Sequence, residues 1–400
     1  MAEPLKKMIV NRYRGRALPI AVVLPDGGRV PLSESPEIEV HARTWRGLKA
    51  LATPGMGTLA KAYVHGELDF SGSARRILGI AESLVGDIEH GDSPVTSRFR
   101  QLVHQRRSNR RNIQYHYDVS NAFYRLWLDA RMVYSCAYFK TEGDTLDQAQ
   151  AQKLDHICRK LMLAPGEHFL DIGCGWGGLV FWAAEHYGVR AKGITLSQNQ
   201  FDHVTAEIRR RGLEGKVEVE LLDYLDLPEM PQYDKVASVG MFEHVGVARF
   251  PRYFGKIHKV LKPGGLVLNH GITHNWLGGR SLGSGIGEFV EEYVFPGGEL
   301  AHVSRVIEGL AAERLELLDA EPLREHYGKT LWHWVERLEA NQEAARAEVG
   351  EEKFRIWRIY LAGSAHAFDR GWLNLFQLLA GKPHSDGRLP HPLTRAYMYT

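Results

Sequence analysis

The stretch HFLDIGCGWGGLVFWAAEHYG, residues 168–188, constrains the fold more than any other part of the chain. Apolar, β-forming residues lead to an acid, Asp171. A loop carrying Gly173, Gly175, Gly177 and Gly178 follows, and then an apolar segment of helical length. Strand, glycine loop and helix in that order form a nucleotide site, because glycines admit a ligand to the backbone and the helix N-terminus presents its free amides. The glycine register departs from the G-x-G-x-x-G dinucleotide fingerprint. Asp171 would repel a pyrophosphate but suits the ammonium of S-adenosylmethionine. Taken alone, the loop also reads as a plain glycine turn between strand and helix. The second strand ends in GITLSQNQ, with no acid to grip ribose hydroxyls, so Thr195 and Gln200 are expected to do so by neutral hydrogen bonds.

Around this segment apolar strands alternate with amphipathic helices: VRAKGIT, SQNQFDHVTAEIRRRG, KVEVELLD, KVASVGM, FPRYFGKIHKVLKPG and GLVLNHGI. That alternation predicts an α/β fold with a parallel, doubly wound sheet over residues 113–400, with RLELLDAEP, two helices from 326 to about 370 and a last strand in WLNLFQLLAG at its end. Residues 1–97 mix short strand-like and helical pieces and read as a small α+β domain. Between them, residues 98–112 form a basic linker in which Arg98, Arg100, Arg106, Arg107, Arg110 and Arg111 make either a solvated connector or a patch for anionic lipid head groups. The glycine- and aromatic-rich segment THNWLGGRSLGSGIGEFVEEYVFPGGELA interrupts the alternation where α/β folds often carry lids.

Composition excludes several classes. Lys and Arg number 50 against 48 Asp and Glu, a formal charge of +2, which offers no strong field for nucleic acid. Cys136, Cys158 and Cys174 are odd in number and far apart, arguing against a disulfide framework and a metal site and fitting a reducing, cytoplasmic compartment. No apolar run is long enough to cross a bilayer.

Seven motifs, YHYDVSNAFYRLWLD, YSCAYF, LDIGCGWGGL, GITLSQNQ, VGMFEHVG, LKPGG and HYGKTLWHW, occur in order over most of residues 113–380. Together they resemble the cyclopropane-fatty-acid synthase family, including the mycolic acid cyclopropane synthases. The resemblance implies a Rossmann-like class I methyltransferase domain. It also implies transfer of a methylene from S-adenosylmethionine to the cis double bond of an acyl chain, with bicarbonate as the base. Carried over motif by motif, the bicarbonate side is Cys136, Glu243, His270 and Tyr327, with a backbone contact from Ile272. The cofactor side is Tyr134, Ser135, Asp171, Gly173, Gly175, Thr195, Leu196, Gln200, Asp223 and Tyr224. Tyr134, Phe139, Phe242, Tyr293 and Phe295 are candidates to face a carbocation, although any one of them reads first as core packing.

AYVHGELDF resembles the N-terminal signature of phospholipid-acting relatives. The implied partners are unsaturated phospholipid acyl chains and an anionic membrane surface met peripherally, and a homodimer is compatible with the sequence. Methyl or methylene branching, mycolic-type cyclopropanation and a catalytically silent lipid-binding role are the alternatives. GSAHAF departs from the family's ACAGAF-like helix, with Ser364 at a cysteine position and His366 at a glycine position.

Overall fold

The structure, a computed structural model, describes residues 2–13, 18–85, 119–277 and 299–399. The basic run at 98–111 lies outside the described residues, as do Tyr293, Phe295 and most of the expected lid. The chain divides into two compact units.

The first unit opens with helix α1 (Ala2–Tyr13) and strands β1 (Ile20–Val23), β2 (Arg29–Pro31) and β3 (Ile38–Ala42). Helices α2 (Trp45–Ala52) and α3 (Met56–Val64), strand β4 (Leu68–Phe70) and helix α4 (Ala74–Val85) follow. The sheet order is β2-β1-β3-β4. In β3, Ile38, Val40 and Ala42 are buried while Glu39 and His41 are not, the period of two expected of a strand with one face on a core.

The second unit is built on one large sheet. Its elements are α5 (Leu146–Lys160), β5 (His168–Ile172), α6 (Gly178–Tyr187), β6 (Arg190–Thr195), α7 (Gln198–Arg211), β7 (Val217–Leu221) and β8 (Tyr233–Val239). Then come α8 (Phe242–Val245), α9 (Phe250–Val260), β9 (Leu261–His274), β10 (Ala301–His302), α10 (Val303–Ala312) and β11 (Glu316–Pro322). Helix α11 (Arg324–Ala340) and the helical segment α12 (Gln342–Asp369), broken by a kink at Gly350, precede the last strand, β12 (Leu373–Gly381).

The strand order β11-β12-β9-β8-β5-β6-β7 reverses direction between β5 and β8, which creates the crevice where open α/β sheets take ligands. β5 is buried from Phe169 to Ile172, the continuous apolar run of a strand covered on both faces. The sheet is not wholly parallel. β9, β8, β5, β6 and β7 are, but β12 pairs antiparallel with both β9 and β11. Its direction depends on the end of the sheet to which the two preceding helices return the chain, and no residue pattern within the strand encodes that.

Leu331–Ala367, which the sequence reading assigns to the second domain, groups with the first unit. Buried ion pairs explain this. Arg358 meets Glu339 at 2.5 Å, Tyr63 Oη at 3.0 Å and the Gly72 carbonyl at 2.8 Å. Arg355 donates to the Tyr63 carbonyl at 2.8 Å and pairs with Asp69 at 3.1 Å.

Candidate active site

A cavity of about 1040 Å3, counted to its open mouth, lies at the reversal of strand order. Its floor is the loop after β5. Gly173 and Gly175 have φ of +82° and +56°, a region that side chains disfavour. A Cβ on Gly175 would meet no protein atom within 4 Å and would project into open space.

Nine of the ten residues expected on the cofactor side line this cavity: Tyr134, Ser135, Asp171, Gly173, Gly175, Thr195, Leu196, Gln200 and Tyr224. Asp223 does not; its carboxylate caps the following turn by accepting the Leu225 N–H at 3.0 Å. At the end of β6, Ser197 caps α7 and so sets Gln200 in the first helical turn. The Thr195 hydroxyl donates to Gln200 Oε1 at 2.6 Å, fixing the two residues expected to meet the ribose.

Another wall is the stretch 132–135, clamped by α5. Gln150 Nε2 donates to the Ser135 carbonyl at 2.8 Å and Lys153 Nζ to Ser135 Oγ at 2.8 Å. Tyr134 sits in an aromatic cluster with Tyr124 and Trp127, at centroid distances of 5.8 and 5.4 Å.

Lys153 is the residue that sequence reasoning missed. It is buried and lines the cavity together with Asp171. Burial lowers its ammonium to about 8, against the pull of Cys136, Asp129 and Asp171. Burial raises Asp171 to about 7 despite Lys153. A signal was present: Leu146, Ala149, Lys153 and Ile157 recur at helical spacing, so the lysine stands on the apolar face of α5. Met241 and His244 also line the cavity, and burial holds His244 down to about 4.

The residues expected on the bicarbonate side do not line the cavity: Cys136, Glu243 and His270 are buried, and Ile272 and Tyr327 are half-buried. Cys136 follows Ser135, and Glu243 precedes His244. Glu243 Oε1 accepts the Ile272 N–H at 2.7 Å, so of the backbone groups of Ile272 the amide is taken by the carboxylate. Cys136 Sγ lies 3.9 Å from the Leu323 carbonyl, which also accepts the Tyr327 N–H at 3.0 Å. The Leu323 N–H bonds to the Leu375 carbonyl at 2.7 Å, and Leu375 pairs in register with Ile272. One run of backbone contacts thus joins Cys136, Tyr327, Ile272 and Glu243. His270, two residues before Ile272 on the same strand face, has Nδ1 3.2 Å from Gln377 Nε2.

Two atoms of the cluster, Glu243 Oε2 and His270 Nε2, are buried without a hydrogen-bond partner among the described residues. Such atoms are rare in folded interiors and mark places where a ligand or water belongs. Burial raises the Glu243 carboxyl to about 7, opposed by the Ile272 N–H. Burial also pushes the Cys136 thiol up and His270 well down, so His270 is neutral and Cys136 stays S–H.

The candidate carbocation-facing aromatics are placed less suggestively. Phe242 packs edge-on against Phe250 at 6.2 Å, and Phe139 lies under the Lys329 ammonium at 4.7 Å. Among the described residues no cluster of His, Cys, Asp and Glu is arranged to hold a metal ion.

Comparison with known proteins agrees with this geometry. The family model for mycolic acid cyclopropane synthetase matches residues 104–378. A probable fatty acid methyltransferase of Pseudomonas putida is 45% identical over 384 residues, 96% of each chain. The tuberculostearic acid methyltransferase of Mycobacterium tuberculosis is 33% identical, over 92% of this chain and 90% of its own. Among solved structures, a cyclopropane synthase from Mycobacterium tuberculosis superposes with a TM-score of 0.66 at 34% identity, covering 70% of this chain and all of that one. A mycolic acid cyclopropane synthase complexed with SAH and CTAB gives 0.65 at 35% identity, covering 69% of this chain and 99% of its own. With the family model matched over residues 104–378 and a relative 45% identical over 96% of the chain, the chain belongs to the mycolic acid cyclopropane synthetase family of S-adenosylmethionine-dependent methyltransferases.

Proposed function

We propose that this enzyme transfers the methyl carbon of S-adenosylmethionine to the cis double bond of an unsaturated phospholipid acyl chain and closes a cyclopropane ring. The observation that carries the reading is the pair of open polar atoms, Glu243 Oε2 and His270 Nε2, on residues beside the cofactor wall: Glu243 precedes His244, and His270 pairs with Val239. An alkene is a weak nucleophile, so the reaction depends on holding it in line with the sulfonium methyl and on keeping water from the cation that forms. The π electrons form the new C–C bond as the S–C bond breaks, leaving S-adenosylhomocysteine. Loss of one proton from the transferred carbon then lets the ring close.

Asp171 and Ser135 are suited to the methionine end of the cofactor, and Thr195 and Gln200 to its ribose. On the far side, Glu243 is suited to hold an anion. A carboxyl held near 7 is protonated often enough to donate to one. Neutral His270 and the Cys136 S–H are the other groups suited to meet it. Bicarbonate bound there would supply the base for the departing proton. The substrate reaches the enzyme from an anionic membrane surface, which a cytoplasmic protein would meet peripherally through the basic run at 98–111.

A second reading, methyl branching of the chain, is favoured by the relatives that match almost the whole length. One is named a probable fatty acid methyltransferase and the other a tuberculostearic acid methyltransferase, whereas a relative named for mycolic acid cyclopropanation, cyclopropane mycolic acid synthase 1, matches 68% of the chain. The test is incubation with dioleoyl phosphatidylglycerol vesicles and S-adenosylmethionine, followed by lipid mass spectrometry. A gain of one CH2 per acyl chain, matched by S-adenosylhomocysteine, is expected. Cofactor binding without any lipid product overturns the reading.

A further inference from the structure

The first unit holds a cavity of its own, about 840 Å3 of open space counted out through its mouth to solvent. Leu51, Leu59, Phe70, Leu78, Ile359 and Tyr360 are among its walls, and among the described residues Asp69 is its single charged lining residue. Asp69 is already engaged by Arg355 at 3.1 Å, and the Tyr63 hydroxyl by Arg358 at 3.0 Å. A guest therefore meets methyl groups and ring faces, and any guest needing hydrogen bonds would be penalised.

Folded interiors rarely leave voids larger than a water molecule, and apolar voids stay dry and accept apolar guests. At Asp69 and Phe70 the cavity abuts a polar cleft lined by Arg43, Arg346 and Arg358 against Asp69 and Glu339. Tail and anionic head of one amphiphile would thus find matching surroundings side by side. The departure at GSAHAF belongs here too. Ser364 lines the cavity, and His366 Nε2 lies 3.5 Å from Glu82 Oε2, tying α12 to α4, the two helices that supply Ile359, Tyr360, Ile77 and Leu78 to the walls.

From this we infer that the first unit binds a long aliphatic acyl chain in its own cavity, separate from the cofactor site. The inference rests on the acyl-lipid reading above and adds a place where the lipid is held. The test titrates the full-length protein with a dansyl-labelled undecanoic acid and, in a second arm, with phosphatidylglycerol carrying a pyrene-labelled acyl chain. Two variants, G363L and A60F, fill the cavity. A Cβ at Gly363 meets nothing within 4 Å, so the leucine side chain enters open space. S-adenosylhomocysteine affinity and thermal unfolding verify that each variant is folded.

Saturable uptake by wild type, falling at least about tenfold in both folded variants, is expected. Uptake of the phospholipid alone identifies an esterified chain as the ligand, and uptake of both identifies the aliphatic chain itself. No uptake by wild type, or uptake unchanged in the folded variants, overturns the inference. If lipid is still methylated in that case, the proposed reaction stands without the cavity. Uptake with no methyl transfer refutes the reaction and leaves the cavity assignment standing.

Discussion

Replacing Glu243 by Gln separates the chemistry of the buried cluster from its architecture. The amide oxygen can still accept the Ile272 N–H that Glu243 Oε1 takes at 2.7 Å, so the local backbone keeps its partner. What is lost is the ionisable oxygen at the open position. Its removal should slow turnover by about 100- to 10,000-fold, the usual cost of losing an acid–base element. S-adenosylhomocysteine affinity should stay within about twofold, because Glu243 does not line the cofactor cavity.

Stability should move the other way. Burial raises the carboxyl from its ordinary 4.5 to about 7, which at about 1.4 kcal/mol per pH unit corresponds to about 3 kcal/mol. The folded-state value is the higher one, so this contribution is fully present below pH 4.5 and is lost as pH rises through 7. E243Q should therefore unfold at a higher temperature than wild type at pH 8.5, by roughly 6–12 °C for a unit of this size, with the difference vanishing near pH 4.5. Single-turnover rates, calorimetry and thermal unfolding at both pH values read these outcomes. Turnover within tenfold of wild type, or cofactor affinity falling in step with activity, would refute the assignment of Glu243 to proton removal.

Gly175→Val should abolish S-adenosylhomocysteine binding in calorimetry while leaving the circular dichroism spectrum intact, since the side chain occupies cavity space; retained affinity would exclude this loop as the cofactor floor. S-adenosylhomocysteine affinity of wild type should rise with pH up to about 7, as Asp171 ionises to meet the ammonium, and Asp171→Asn should bind more weakly with a flat profile. Lys153→Met should weaken the cofactor about tenfold and shift that profile to higher pH, because the cation opposing protonation of Asp171 is gone; an unshifted profile would make Lys153 a packing residue. Arg358→Met should destabilise the first unit by about 3–5 kcal/mol, measured by urea unfolding, since it leaves the Glu339 carboxylate without its cation.

The parts legible in the sequence are those whose cause is local. The glycine loop announced itself because its positive-φ positions call for glycine between a buried strand and a helix. Thr195 and Gln200 were readable because the strand end and the first helical turn form one short unit, GITLSQNQ. Contacts between distant residues were not readable. Grouping of Leu331–Ala367 with the N-terminal elements depends on Arg355 and Arg358 finding Asp69, Tyr63 and Gly72, almost 300 positions away. The capture of the Ile272 amide by Glu243 needs α8 and β9 in place together. Lys153 lay between these cases: its spacing on α5 puts it inside, but a lysine among glutamines reads as a solvated face until that spacing is counted.

The central claim, that a methyl carbon is delivered to an alkene and then loses a proton inside the Glu243–His270 cluster, is tested most directly with S-adenosylmethionine deuterated on its methyl group. The purified enzyme is incubated with dioleoyl phosphatidylglycerol vesicles, and the acyl products are hydrogenated and sequenced by mass spectrometry. Ring closure predicts a product that retains two of the three deuterium atoms and keeps its added carbon as a hydrogenation-resistant CD2 bridge across the former double bond. A product retaining all three, as a CD3 branch, would contradict the claim, because no proton would have left the transferred carbon.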